Sequence, residues 1–197
     1  IYDGYMVAVM ALMETPAIIA GLWLASRDPS AKAQKASGEL MREVFLNGSV
    51  VLLMGAFVIG WITGEAGMKP VKPFLDDLFR GMLCLFMLDM GIIAGTRLRN
   101  AARITVPMAL FAVYMPMIGA SLGITASLLL GLNVGNAALL AILCASASYI
   151  AVPAAMRLAL PQADPAVYLT LSLAMTFPFN LTIGMPLYLW AAERFAG

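Results

Sequence analysis

The chain has 197 residues, 62% of them hydrophobic and 12% charged, where an average soluble domain carries roughly 25% charged residues. Its mean hydropathy is +0.90 and its net charge +1, so it has neither the polar groups to cover a soluble surface nor the positive excess that a nucleic-acid partner would select. It has no histidine, and Cys84 and Cys144 stand far apart in apolar stretches, which excludes histidine-based catalysis, a zinc site and a disulfide framework. What remains is an all-α integral membrane protein, expected to be neither an enzyme nor a metalloprotein.

A span of the bilayer takes about 20 mainly apolar residues. The chain opens on Ile1 inside an apolar segment, which reads as the interior of a longer polypeptide with no cleavable signal peptide. Residues 4–26 form the first span, with one acid, Glu14, two positions before Pro16. A proline there removes a backbone donor, and freed carbonyls beside a carboxylate suit a hard cation such as Na+. Residues 26–43 are the only extended polar segment, either a solvated connector or a docking site for a cytoplasmic regulator. Residues 44–64 carry no charge and give a second span. The third, 74–96, has Asp89 near its centre. A carboxylate there costs roughly 2.5–3.5 kcal/mol. Asp89 is therefore expected to bind a cation, couple to protons, or be held as a protonated structural acid.

Residues 104–156 run for 53 positions without a charge. That is two spans, and Leu132-Asn133-Val134-Gly135-Asn136 is the turn between them. Residues 166–192 make the sixth. These runs lack two-residue alternation and are twice the length of a barrel strand, so they are helices.

Three stretches combine helix breakers with oxygen atoms. In Ala145-Ser146-Ala147-Ser148-Tyr149-Ile150-Ala151-Val152-Pro153, small residues and a proline predict a helix broken near Pro153. The second half-helix would begin with free N–H groups, which attract anions. Ser146, Ser148 and Tyr149 add hydroxyls, and with Ala151, Val152 and Pro153 they form the expected substrate site; a packing face with a kink is the plainer alternative. Thr176, Asn180 and Thr182 surround Pro178 and are expected, with Glu14 and Asp89, to serve ion coupling; the alternative for this stretch is hydrogen bonding between helices. Gly55, Gly60, Gly119 and Gly123 are spaced for close helix contact.

Basic residues divide by side. Arg27, Lys32, Lys35, Arg42, Arg97, Arg99, Arg103 and Arg157 fall on one side, and Lys69, Lys72 and Arg194 on the other. By the positive-inside rule the linker is cytoplasmic and the C-terminus outside. The first and last spans echo one another, Met13 with Met175 and Pro16 with Pro178. Such echoes occur in transporters built from inverted repeats. On this basis residues 1–25 are the last helix of one repeat, 26–43 a linker, and 44–197 a complete second repeat of five helices.

Several segments together resemble the sodium-dependent bicarbonate transporters of cyanobacteria and other bacteria. They are Met13-Glu14-Thr15-Pro16-Ala17, Leu78-Phe79-Arg80-Gly81, Ala145 to Ser148 with Pro153, Leu160 to Tyr168, and Ile183-Gly184-Met185-Pro186-Leu187. The resemblance implies a ten-helix permease of two inverted five-helix repeats in the inner membrane, a trimer, with Na+ as coupling ion and no other cofactor. It implies substrate and sodium positions around Ser146, Ser148 and Pro153, and a PII-like regulator on the cytoplasmic side. Tyr149 stands where the cyanobacterial proteins carry an acid. The implied function is sodium-coupled transport of bicarbonate or a similar small anion. The competing readings are a membrane sensor or scaffold with a decayed site, and an intramembrane enzyme using Asp89 and Glu14.

Overall fold

The computed structural model describes residues 2–26, 48–99, 104–148, 156 and 162–197. The described residues are helical with no strands. Most of the linker, together with Tyr149, Ala151, Val152 and Pro153, lies outside them.

Helix α1 spans Tyr5–Ser26 and continues through Pro16. Helix α2 spans Gly48–Lys72 and kinks at Gly64, whose φ of 56° and ψ of −153° suit a residue without Cβ. The kink falls where the uncharged run of the sequence stops. A π-helical turn, Pro73–Asp77, joins α2 to α3, Leu78–Arg99. Helix α4 spans Val106–Leu129 and α5 spans Val134–Ala145. The last helical run, α6, spans Pro165–Ala196. It contains two π-helical stretches, Thr170–Thr176 and Asn180–Gly184, on either side of Pro178.

Among the described residues three stretches are long and apolar enough to cross a bilayer, namely Leu78–Thr96, Val106–Leu129 and Pro165–Ala196, where six spans are expected from the sequence. At 1.5 Å per residue, α4 reaches about 36 Å, against a hydrocarbon core of about 30 Å. Helix α5 has 12 residues and reaches only about half that depth.

The α4–α5 connection is tightly determined. Gly131 takes φ +63°, its N–H donates to Leu128 O (3.2 Å), and Leu132 N–H donates to Ser127 O (3.0 Å). This pairing satisfies the last carbonyls of α4 and turns the chain back. Asn133 then caps α5, its side chain accepting from Asn136 N–H at 2.9 Å. Asn136 is 1% exposed and donates from Nδ2 to Asp3 Oδ2 and to Tyr5 Oη, both at 2.7 Å. Asp3 N–H donates back to Asn136 Oδ1 at 2.8 Å. The start of α1 is thus bound to the start of α5.

The core lies where α4, α5 and the end of α6 meet, and it is built of small side chains: Ala120, Ala137, Ala138, Ala141, Ala145 and Ala192, with Ile124 and Tyr188. Small residues allow helix backbones to approach, which is how helices associate where lipid removes the hydrophobic drive. A Cβ at Gly123 would meet Ala141 Cα at 2.8 Å and Leu140 O at 3.0 Å, and one at Gly119 would collide with Cys144 O. Both glycines are contact points. Gly55 and Gly60 have nothing within 4 Å of the corresponding position. Helices α2 and α3 instead present large apolar side chains outward, among them Leu52, Trp61, Ile62 and Leu85. In hydrocarbon such exposure carries no cost.

Candidate functional site

Helix α5 ends at Ala145, and Pro153, where the break is expected, lies outside the described residues. Ser146 takes φ −74° and ψ 144°, which is extended, and residues 146–148 are not helical. The sequence Ser-Ala-Ser favours this, because short hydroxyl side chains compete for backbone groups. Ser146 Oγ donates to Ile142 O at 2.7 Å, turning back into α5 as the helix ends.

A cavity of about 380 Å³ opens at this point. Phe111, Ala112, Met115 and Pro116 of α4 line one side, Cys144, Ala145, Ser146, Ala147 and Ser148 the end of α5, and Tyr168, Leu171, Ser172 and Thr176 the first half of α6. None of these residues is charged. The described lining is therefore mainly apolar and neutral, with hydroxyl groups from Ser146, Ser148, Tyr168, Ser172 and Thr176.

The polar residues of α6 are used in a particular way. Pro116 lies inside α4 and is buried. Lacking an N–H, it cannot donate to the carbonyl of Ala112 four residues earlier. Thr176 Oγ1 donates to that carbonyl instead, at 2.8 Å, in a buried bond between helices. Asn180 Nδ2 donates to Ala145 O, the last carbonyl of α5, at 2.8 Å. Tyr188 Oη–H donates to Asn180 Oδ1 at 2.9 Å. Both side chains thus supply carbonyls that a proline or a helix end has left without an amide.

Of the residues expected at a substrate site, Ser146 and Ser148 line the cavity, and Ser148 has a partner of its own. Tyr149, Ala151, Val152 and Pro153 are outside the described residues. Of those expected to couple an ion, Thr176 lines the cavity and Asn180 sits beside it through Ala145. Thr182 is exposed and donates to Pro178 O at 2.8 Å, within its own helix. Asp89 is exposed on α3. Glu14 belongs to α1, and its side chain is outside the described set. No group of three or more Cys, Asp and Glu side chains able to hold a metal ion occurs among the described residues.

Sequence reasoning passed over Pro116, Cys144 and Tyr168 as members of the cavity. Pro116 was recoverable, being a proline in the middle of a 53-residue apolar run. Its partner on a distant helix was not.

The sequence profile of the Na+-dependent bicarbonate transporter superfamily matches residues 1–193. No curated protein matches the chain significantly.

Proposed function

We propose that this chain, which belongs to the Na+-dependent bicarbonate transporter superfamily, carries the anion pocket of a sodium-coupled permease for bicarbonate or a similar small anion. One observation carries the reading: a helix of half a bilayer's depth ends at Ser146 on a cavity without charged walls. A half-helix that ends beside a pocket near the midplane is the element from which secondary transporters build substrate sites. The second half-helix, from about Pro153, would present its free N–H groups to the anion. Ser146 and Ser148 stand at the rim on the opposite side of the break.

In this reading the transport cycle is alternating access. The chain contributes six spans, the first closing one five-helix repeat and the other five forming its inverted partner. Sodium offsets the anion's charge in a pocket whose described lining residues include no cationic side chain. Oxygens at Glu14, Thr176 and Asn180 are its candidate ligands, and no other cofactor is required. The permease acts in the inner membrane, as a trimer, with the linker at 26–43 on the cytoplasmic side, open to a PII-like regulator.

The test is uptake of labelled bicarbonate by cells expressing the full-length gene, in sodium medium and with potassium in its place. Uptake above that of empty cells, and only in sodium, is the expected result. Equal uptake in both media removes sodium coupling. Uptake no higher than in empty cells under either cation removes bicarbonate.

A further inference from the structure

The hydroxyls of the cavity are not equivalent. Ser146 donates to Ile142 O, Thr176 to Ala112 O, and Ser172 to Tyr168 O at 2.9 Å. Ser148 also has a partner. Tyr168 differs. Its Oη is buried and has no hydrogen-bond partner among the described residues. It lies on the fourth residue of α6, and Tyr168 is among the residues that line the cavity with the end of α5. A phenol buried in this way is an exception that calls for an account, because a buried polar group without a partner is costly.

We propose that the Tyr168 hydroxyl donates to an oxygen of the transported anion and is a specificity-determining contact of the carrier. This rests on the reading of the cavity as the anion site. The chemistry fits a small, singly charged oxyanion. The described lining residues include no Lys or Arg to balance a second charge, so binding relies on neutral donors. Three of the other hydroxyls already spend their hydrogens on backbone carbonyls and Ser148 has a partner, which leaves the phenol, among the described lining residues, as the hydroxyl without one. A phenol also accepts, so it can take a hydrogen from an anion that bears an O–H while donating to its charged oxygen. An anion with no O–H gains only one of these two contacts. The site therefore favours hydrogen-bearing oxyanions over nitrate or formate.

Cys144 provides a reading that does not depend on transport, since it lines the same cavity. The full-length protein is made with Cys84→Ser, so that Cys144 is the thiol followed in this part of the chain. Purified protein is treated with methyl methanethiosulfonate at increasing bicarbonate, and the rate of Cys144 modification is read by mass spectrometry. Uptake is measured in parallel. Tyr168→Phe, which removes only the hydroxyl, is expected to raise the concentration for half-protection and the KM for bicarbonate together, about tenfold, with maximal uptake unchanged. Formate, which cannot donate to the phenol, should protect the parent more weakly, and the variant should lose part of that preference.

Half-protection and KM at the parent's values in Tyr168→Phe overturn the proposal and leave the transport reading intact. If bicarbonate neither enters cells nor protects Cys144 in the parent, the transport reading fails and takes the proposal with it. Should the phenylalanine variant not fold, Tyr168→Met, which refills the volume without a hydroxyl, takes the same two readings. Loss of folding in both gives Tyr168 a structural role and overturns the proposal.

Discussion

The carbonyl of Ala112 accounts for Thr176. Pro116 leaves that carbonyl without its amide, and a threonine on another helix supplies the missing hydrogen. Thr176→Val should therefore lower the stability of the full-length protein by about 1–3 kcal/mol, the cost of a buried acceptor left unpaired. Pro116→Ala restores an N–H four residues from Ala112, so the two changes together should cost clearly less than their sum. Thermal unfolding in detergent completes this cycle, and strict additivity would show that Thr176 does not serve the carbonyl. Gly123 gives a second case. An alanine there meets the backbone of Ala141 and Leu140, which cannot yield as a side-chain end does. Gly123→Ala should cost about 1–3 kcal/mol, whereas Gly55→Ala, in open space, should leave the melting temperature almost unchanged. The sequence singled out all four glycines by their spacing. Spacing reports that a helix can be approached, and the neighbour decides whether it is. Asn180 was legible in a similar partial way. A costly amide in an apolar run must have partners, and residue type alone does not name Ala145 and Tyr188 among them.

At the scale of elements, the turn at 132–136 and the end of α5 at Ala145 are written locally. Gly131 supplies a positive φ, Asn133 a cap, and Ser-Ala-Ser weak helix propensity. What the sequence did not reveal is that the turn is held by the beginning of the chain. Asp3 and Tyr5 bond to Asn136 across more than 130 positions. Asn136→Ala should strip Asp3 and Tyr5 of these bonds and lower stability by about 1–3 kcal/mol, again read by unfolding in detergent. Asn133→Ala, which removes a cap in a more exposed position, should cost about 1 kcal/mol. The prolines also behaved unevenly. Helix α1 runs on through Pro16, and α6 absorbs Pro178 between two widened turns, whereas α5 ends at Ala145 before Ser146-Ala147-Ser148 with no proline at that point.

For the whole molecule, composition was enough to place the chain in a membrane, and the order of its motifs was enough to place it in its superfamily. Which helices face lipid was not legible. Spans that are apolar all round carry little directional signal, so their orientation is set by packing rather than pattern. The result is uneven: α4, α5 and α6 share an alanine core, while α2 and α3 turn bulky side chains outward. The two cysteines report this division. Cys84 is exposed on α3, and Cys144 is half-buried at the cavity. In native membranes Cys84 should react with a lipid-soluble maleimide and resist a charged thiosulfonate, and Cys144 should respond to a small water-soluble reagent. Peptide mass spectrometry separates the two, and ready labelling of Cys84 by the charged reagent would mean that α3 borders water.

The two widened turns of α6 have a consequence for how that helix can move. A π turn holds one residue more than the α turn it replaces, and each residue of an α-helix advances the azimuth by about 100°. Either stretch is thus slack wound into the rod. Taking up one unit of it would swing everything downstream through about a quarter of a circle without stretching the chain. The Tyr188–Asn180 bond spans the second stretch, and the Asn180–Ala145 bond ties its start to the broken helix. These two bonds set the phase of α6, and the end of α5 is the pawl against which it is held.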